Sequence, residues 1–187
     1  MRISGGAARG IPLHVPPGDE VRPSTDSLRQ AVFSSLGARI PDSRFLDLFA
    51  GSGAFGLEAL SRGAASGAWV EQHPKAVACV RRNLTAVCKS LGRDETGLSV
   101  LACDVFAERV VAEAPPADLI FADPPFPDYP AILPRLFERL DVLTRGQPDA
   151  LIVLKLPGNL EFSVPGWTCF KRLGSSHQPS AAFIRRS

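Results

Sequence analysis

The four residues Asp123-Pro124-Pro125-Phe126 carry the most specific chemistry in this chain. Two consecutive prolines cannot continue a strand and hold the backbone extended and rigid, so the acid before them is presented at a fixed angle. An exocyclic amine on a nucleic-acid base is a poor nucleophile, because its lone pair is delocalised into the ring. The Asp123 carboxylate and the Pro124 carbonyl can each accept one hydrogen of such an amine. That arrangement favours a pyramidal nitrogen and aims its lone pair at an incoming methyl carbon. Pro125 stiffens the segment, and Phe126 can stack on the base and hold its plane. Methyl transfer from a sulfonium needs in-line approach more than proton abstraction, so position and electrostatics supply most of the rate and no histidine is required. A base inside a duplex cannot reach such a segment, so the target must be single-stranded, looped out or flipped.

A second motif supplies the partner for this chemistry. Gly51-Ser52-Gly53-Ala54-Phe55-Gly56 is a GxGxxG run that follows an apolar stretch and opens a helical one. Its glycines permit a tight turn and close backbone approach by a ligand. Glu71 lies 20 residues after Gly51, where a Rossmann-like fold places the carboxylate that accepts from ribose hydroxyls. These features alone fit any nucleoside cofactor, NAD included. Asp47 separates the candidates. A carboxylate four residues before the first glycine repels a pyrophosphate but welcomes an amine and a sulfonium. S-adenosylmethionine fits, with Asp47 facing the methionine ammonium, Gly51 and Gly53 admitting that moiety, and Asp104 suited to the adenine amino group. Asp47 as a turn-binding carboxylate and Asp104 as a helix cap are the bland alternatives.

These residues need a scaffold, and the chain supplies one by alternation. Ser24 or Thr25 can cap a helix that runs to about Ala38 and stops at Pro41. Strands are expected at Phe45–Phe49, Ala68–Glu71, Leu98–Leu101, Asp118–Ala122 and Ala150–Leu156. Helices lie between them: one after the glycine loop, one opened by Pro74, one over Val105–Ala114 and one over 130–143. Such repeats imply a parallel sheet covered on both faces. Two last strands, Thr168–Leu173 and Ala181–Ile184, are too close for a helix between them and should pair as an antiparallel hairpin. The expected fold is therefore α/β, a Rossmann-like class I S-adenosylmethionine-dependent methyltransferase with a mostly parallel seven-stranded sheet. Residues 1–23 read as an N-terminal arm or hairpin, and 24–187 as the methyltransferase domain.

At 187 residues, with 45% hydrophobic and 21% charged residues, the chain suits one soluble globular domain. It has no run long enough to span a membrane and no apolar stretch of signal-peptide type at Met1–Gly6, so a cytoplasmic location is expected. Cys79, Cys88, Cys103 and Cys169 form no CxxC pair, so they read as small buried thiols rather than a disulfide or a metal site. A net charge of +2 says little about nucleic acid. Its distribution says more: Lys75, Arg81, Arg82, Lys89 and Arg93 run without an intervening acid, and Lys171, Arg172, Arg185 and Arg186 crowd the tail.

Taken together these segments resemble the RsmD family, the bacterial small-subunit ribosomal RNA (guanine-N2-)-methyltransferases. The likeness runs from Arg2-Ile3-Ser4-Gly5-Gly6, Arg9-Gly10 and Arg22-Pro23-Ser24-Thr25-Asp26 with Arg29, through Asp47–Gly53 and Gly56–Gly63, to Val70-Glu71 and Asp123–Phe126. The glycine loop and the Asp-Pro-Pro-Phe segment are shared by many amine methyltransferases; the N-terminal set is what narrows the match. The resemblance implies methylation of a guanine exocyclic amine in 16S ribosomal RNA within the small subunit, by a monomer. It implies that Thr25 and Arg29 line the cofactor and base region, with Phe49 and Gln72 in the cofactor set. It also implies that Arg2, Arg9 and Arg22 meet RNA phosphates. Ser27, Gln30, His73 and Phe183 depart from the family's usual residues. Three other functions compete: an adenine-N6 methyltransferase of DNA or RNA, an NAD-dependent oxidoreductase, and a non-catalytic RNA-binding factor.

Overall fold

The structure, a computed structural model, describes residues 1–16, 23–125, 129–158, 160–175 and 177–187. In chain order it contains α1 (Pro23–Leu36), β1 (Arg44–Leu48), α2 (Ala54–Ser61), β2 (Ser66–Glu71), α3 (Pro74–Leu91), β3 (Leu98–Ala102) and α4 (Glu108–Glu113). Then follow β4 (Leu119–Ala122), α5 (Tyr129–Leu143), β5 (Leu151–Leu156), β6 (Trp167–Leu173) and β7 (Ser180–Arg186). The seven strands form one sheet in the order β3-β2-β1-β4-β5-β7-β6. The pairs from β3 through β5 are parallel, while β7 runs antiparallel to both β5 and β6. The expected α/β architecture and its antiparallel C-terminal hairpin are therefore present. Strand order reverses between β1 and β4, which opens a crevice at the carboxyl ends of those two strands.

The central strands read as unbroken apolar runs because both of their faces are covered. Phe45, Leu119, Phe121, Leu151 and Val153 point to the face packed by α1, α2 and α3, joining Phe33, Leu57, Val80 and Val87. Leu46, Leu48, Ile120, Ile152 and Leu154 point to the other, joining Val110 of α4 and Leu136, Phe137 and Leu140 of α5. Helix α3 starts with Pro74 and ends at Gly92 in the left-handed conformation, the asymmetry its sequence announces. Its apolar stripe is buried, while Lys75, Arg81, Arg82 and Lys89 are exposed along it.

Several boundaries differ from those read in the sequence. The first helix gives way at Gly37–Arg39 to a tighter 3₁₀ turn. Helix α4 begins at Glu108 rather than Val105, because Asp104 first closes a turn by accepting from the Phe106 N–H at 2.9 Å. Phe49 is not part of β1; it has left the strand with φ 59°. Cys88 is buried and burial pushes its thiol up, but Cys79 and Cys103 are half-buried and Cys169 is exposed, so the thiols are not uniformly core residues.

The N-terminal arm doubles back on itself, with Ile3 N–H bonded to Ile11 C=O and Gly10 N–H to Ile3 C=O. Ile3, Ala8 and Leu13 are buried in the same cluster as α1 and α2. Among the described residues, no helix is long and apolar enough to cross a membrane.

Gly56, the third glycine of the loop motif, is where α2 presses on the sheet. A Cβ there would lie 2.4 Å from Trp69 Nε1 and 2.6 Å from the Phe45 ring. Gly56→Ala should therefore lower stability by about 1–3 kcal/mol, the usual cost of overpacking. Urea denaturation checks this, and an unshifted midpoint would mean that the seam has room.

Candidate active site

The turn that follows β1 is built from three conformational concessions and a set of side-chain braces. Phe49 at φ 59°, Gly51 at φ 56° and Gly53 at φ 79° all occupy the left-handed region, which only the glycines enter without strain. The Gly51 N–H donates to Glu71 Oε2 at 2.8 Å, and the Gly56 N–H donates to Asp47 Oδ2 at 2.9 Å. Asn83 Nδ2 donates to the Ser52 carbonyl at 2.9 Å, and Trp69 Nε1 to the Gly53 carbonyl at 3.2 Å. Each acid has a second duty left over, since a carboxylate offers about four acceptor sites. Glu71 uses one more of its own on the His73 N–H.

Two cavities meet over this turn. One, of about 240 Å³, is lined by Arg29, Asp47, Ala50, Ser52, Phe55 and Lys155 among others. The second, of about 660 Å³, is lined by Glu71, Gln72, Lys75, Asp104, Val105 and Pro125 among others. Phe49, Gly51 and Asp123 belong to both, so they form the wall where the cavities join. Phe49 is braced there by an edge contact with Phe106, ring centroids 6.1 Å apart. The strained Phe49 backbone thus puts an aromatic ring at the junction of the two spaces.

Asp123 stands just past β4, half-exposed, with Pro124 buried behind it and Pro125 exposed. Its Oδ2 accepts from Lys155 Nζ at 2.6 Å. Lys155 is the one charge in the strand LIVLKL, and the pairing of Ala122 with Leu154 sets it beside Asp123. Asp47 is buried, and burial holds its carboxyl well above the usual carboxylate range. The charges of Asp123 and Glu71 push it the same way, while the Gly56 N–H pulls it back.

The structure brings Arg29, Asp47, Phe49, Gly51, Glu71, Gln72, Asp104, Asp123 and Pro125 to the two cavities. Gly53 shapes the turn beside them. Arg2 and Arg9 are exposed and share a separate groove with Asp26 and Gln30. Phe126 and Arg22 lie outside the described residues, as does the side chain of Thr25. Arg29 is more than a cavity wall: it bonds the Arg2 carbonyl at 2.6 Å and pairs with Asp26 at 3.1 Å and Glu58 at 3.6 Å.

Glu58, Asn83 and Lys155 are the residues that sequence reasoning missed. Glu58 is wholly buried and accepts from the Ser4 N–H, the Ser4 hydroxyl and Arg62, so it clasps the arm to α2. Asn83, also wholly buried, exchanges two 2.8 Å bonds with the His14 backbone while it holds Ser52. Glu58 and Asn83 each leave a sequence signal, a polar residue on the apolar face of a helix, but one that names no partner. No cluster able to hold a metal ion occurs among the described residues.

A doubly wound sheet with a glycine turn, an acid at the end of β2 and an Asp-Pro-Pro exit from β4 defines the Rossmann-like methyltransferase fold. A family model described as "Conserved hypothetical protein 95" matches residues 1–177, and the chain belongs to that family, the RsmD family. "Ribosomal RNA small subunit methyltransferase D" of Escherichia coli (strain K12) is 38% identical over 128 residues, 67% of this chain and 60% of that protein. "Putative rRNA methyltransferase YlbH" of Bacillus subtilis (strain 168) is 40% identical over 84 residues, 45% of this chain and 46% of that one. The match thus spans less than two thirds of either curated relative's length. A solved structure titled "Putative methyltransferase yhhF from Escherichia coli" superposes with a TM-score of 0.77 at 31% identity, covering 100% of this chain and 97% of that one.

Two outcomes follow for the buried acids. The raised Asp47 carboxyl means the folded state holds a proton that the unfolded state has released, so stability falls as pH rises from the ordinary carboxylate range toward the raised value. Asp47→Asn should flatten that slope in melting temperatures taken from about pH 4 to about pH 8, and raise stability at the upper end. A slope unchanged by the substitution would place the titration elsewhere. Glu58→Ala leaves Arg29 without its buried partner and should cost about 3 kcal/mol, with residues 1–14 cleaved faster in limited proteolysis.

Proposed function

We propose that this protein transfers a methyl group from S-adenosylmethionine to the N2 amine of a guanine in 16S ribosomal RNA of the small subunit, acting as a cytoplasmic monomer. The observation that carries the reading is the position of Asp123 at the junction of two cavities that Phe49 and Gly51 also line. The larger cavity, with Glu71 at one side and Asp104 at the other, suits an adenosine: Glu71 accepts from ribose hydroxyls and Asp104 from the adenine amine. The smaller, with buried Asp47, suits the methionine end and its ammonium. Held there by Asp47, Gly51 and Glu71, S-adenosylmethionine would supply an electrophilic methyl carbon on a positively charged sulfur, which would keep the S–C electron pair, and the methylated amine would lose its proton to solvent.

The protein's own work is positional. Asp123 and the Pro124 carbonyl accept the two amine hydrogens and turn the nitrogen lone pair toward the junction. Phe49 shields that junction from water, which sharpens every electrostatic contact within it. The arm carrying Arg2 and Arg9 lies beside the same crevice through Arg29, and its exposed guanidiniums are placed to meet RNA phosphates. The names of the relatives support ribosomal RNA over the adenine-N6 alternative, and Asp47 before the glycine turn speaks against a dinucleotide.

The test uses small ribosomal subunits from cells lacking this protein, with labelled S-adenosylmethionine, nuclease digestion and mass spectrometry. N2-methylguanosine is the expected product, and methyladenine in duplex DNA with none in ribosomal RNA would overturn the reading. Asp123→Ala should lower the transfer rate at least about 100-fold, the scale of losing one preorganised hydrogen-bonding group. Calorimetry should show S-adenosylhomocysteine binding retained.

A further inference from the structure

We propose that Lys155 is a positioning residue for the transfer, clamping one oxygen of Asp123 so that the other is offered to the substrate amine. The proposal rests on the methyltransfer reading above and deepens it. Its basis is an ion pair that packing does not require. Strand β5 is buried on both faces along Leu151–Leu154 and again at Leu156, and Lys155 alone interrupts it. The Lys155 side chain is only 14% exposed, and its Nζ lies 2.6 Å from Asp123 Oδ2. Withdrawing an ammonium from water is unfavourable, and a methionine would fill the same space without that cost. A lysine at this place therefore earns its explanation from what it contacts rather than from the core.

What it contacts is the carboxylate that the proposed reaction uses. A half-exposed aspartate on a loop has rotational freedom about its last bond. A short, charge-assisted bond to Oδ2 removes it, and Oδ1 is then the oxygen offered to the substrate amine. The lysine is itself well fixed. Its backbone carbonyl accepts from the buried Tyr129 hydroxyl at the start of α5, and its neighbour Leu154 is in register with Ala122 of β4. Lys155 also lines the smaller cavity with Asp47 and Arg29, so the clamp sits within reach of the reacting groups. The pair acts as a unit. Asparagine at position 123 would keep one acceptor oxygen, but would leave the ammonium facing a neutral amide.

The experiment measures single-turnover methyl transfer to small subunits by the full chain, with S-adenosylhomocysteine affinity and melting temperature as folding controls. Lys155→Met should reduce the transfer rate about 10- to 100-fold, the effect of a misplaced reacting group, while KM for the cofactor stays nearly unchanged. Lys155→Arg, which can still donate to Oδ2, should recover most of the loss. In a double-mutant cycle, Asp123→Asn with Lys155→Met should be no slower than Asp123→Asn alone, since residues that act as a unit are not additive. A Lys155→Met protein that binds cofactor and transfers at the wild-type rate overturns the proposal alone. So does a loss that Lys155→Arg fails to recover, or a strictly additive cycle. A wild-type protein that transfers no methyl group to ribosomal RNA overturns the functional reading, and the proposal with it.

Discussion

The turn between Leu48 and Ala54 has to reverse the chain and yet leave its own backbone bare toward a ligand. A loop of that kind orphans N–H groups that cannot be left unpaired once covered. Here the Gly51 N–H is taken by Glu71 at the end of β2, and the Gly56 N–H, in the first turn of α2, by Asp47 within β1. Because Leu48 pairs with Val70, the end of β2 arrives beside the turn at the height where Glu71 can reach it. The shape of the cavity floor therefore depends on sheet register, and the strain at Phe49 persists because that register over-determines it.

The same turn is tied to the N-terminal arm through buried side chains of α2 and α3. Asn83 holds the Ser52 carbonyl and the His14 backbone at once, and Glu58 anchors Ser4 from a helix whose first turn contains Gly56. Arg29 closes the circuit by bonding the Arg2 carbonyl from α1. The arm shares the hydrophobic cluster of α1 and α2 through Ile3, Ala8 and Leu13. Its exposed arginines are consequently held at a fixed place relative to the crevice, which is what backbone-directed RNA contacts need.

Much of this was legible before any coordinates. The strand–helix alternation, Pro74 and Gly92 at the ends of α3, and the glycine turn each have a local cause, and local causes show in sequence. Lys155 was not legible, because its meaning comes from lying beside Asp123 across a strand pair separated by a whole helix. Glu58 and Asn83 were hidden for a similar reason: a polar residue on an apolar helical face has a partner, but spacing does not say which. Asp47 shows the opposite difficulty. An acid before a glycine turn is read equally well as a ligand group or as a brace, and the structure gives it a brace's bond while leaving it on the cavity wall.

That double duty explains the electrostatics of the crevice. Asp47, Glu71 and Asp123 converge on one small volume, and the raised Asp47 carboxyl records their mutual repulsion on top of its burial. Of the nearby cations, Arg29 is committed to Asp26 and the arm and Lys155 to Asp123, while Lys75 lines the larger cavity with Glu71. Asp47 and Glu71 flank Gly51, each on the wall of one cavity. A molecule with a sulfonium and an ammonium relieves that repulsion, whereas a pyrophosphate aggravates it. On the proposed reading, a donor that had given up its methyl group would lack the sulfonium charge, so the same carboxylates would hold the product less firmly than the donor. A site braced by acids is in this way suited to a cationic donor and to turnover.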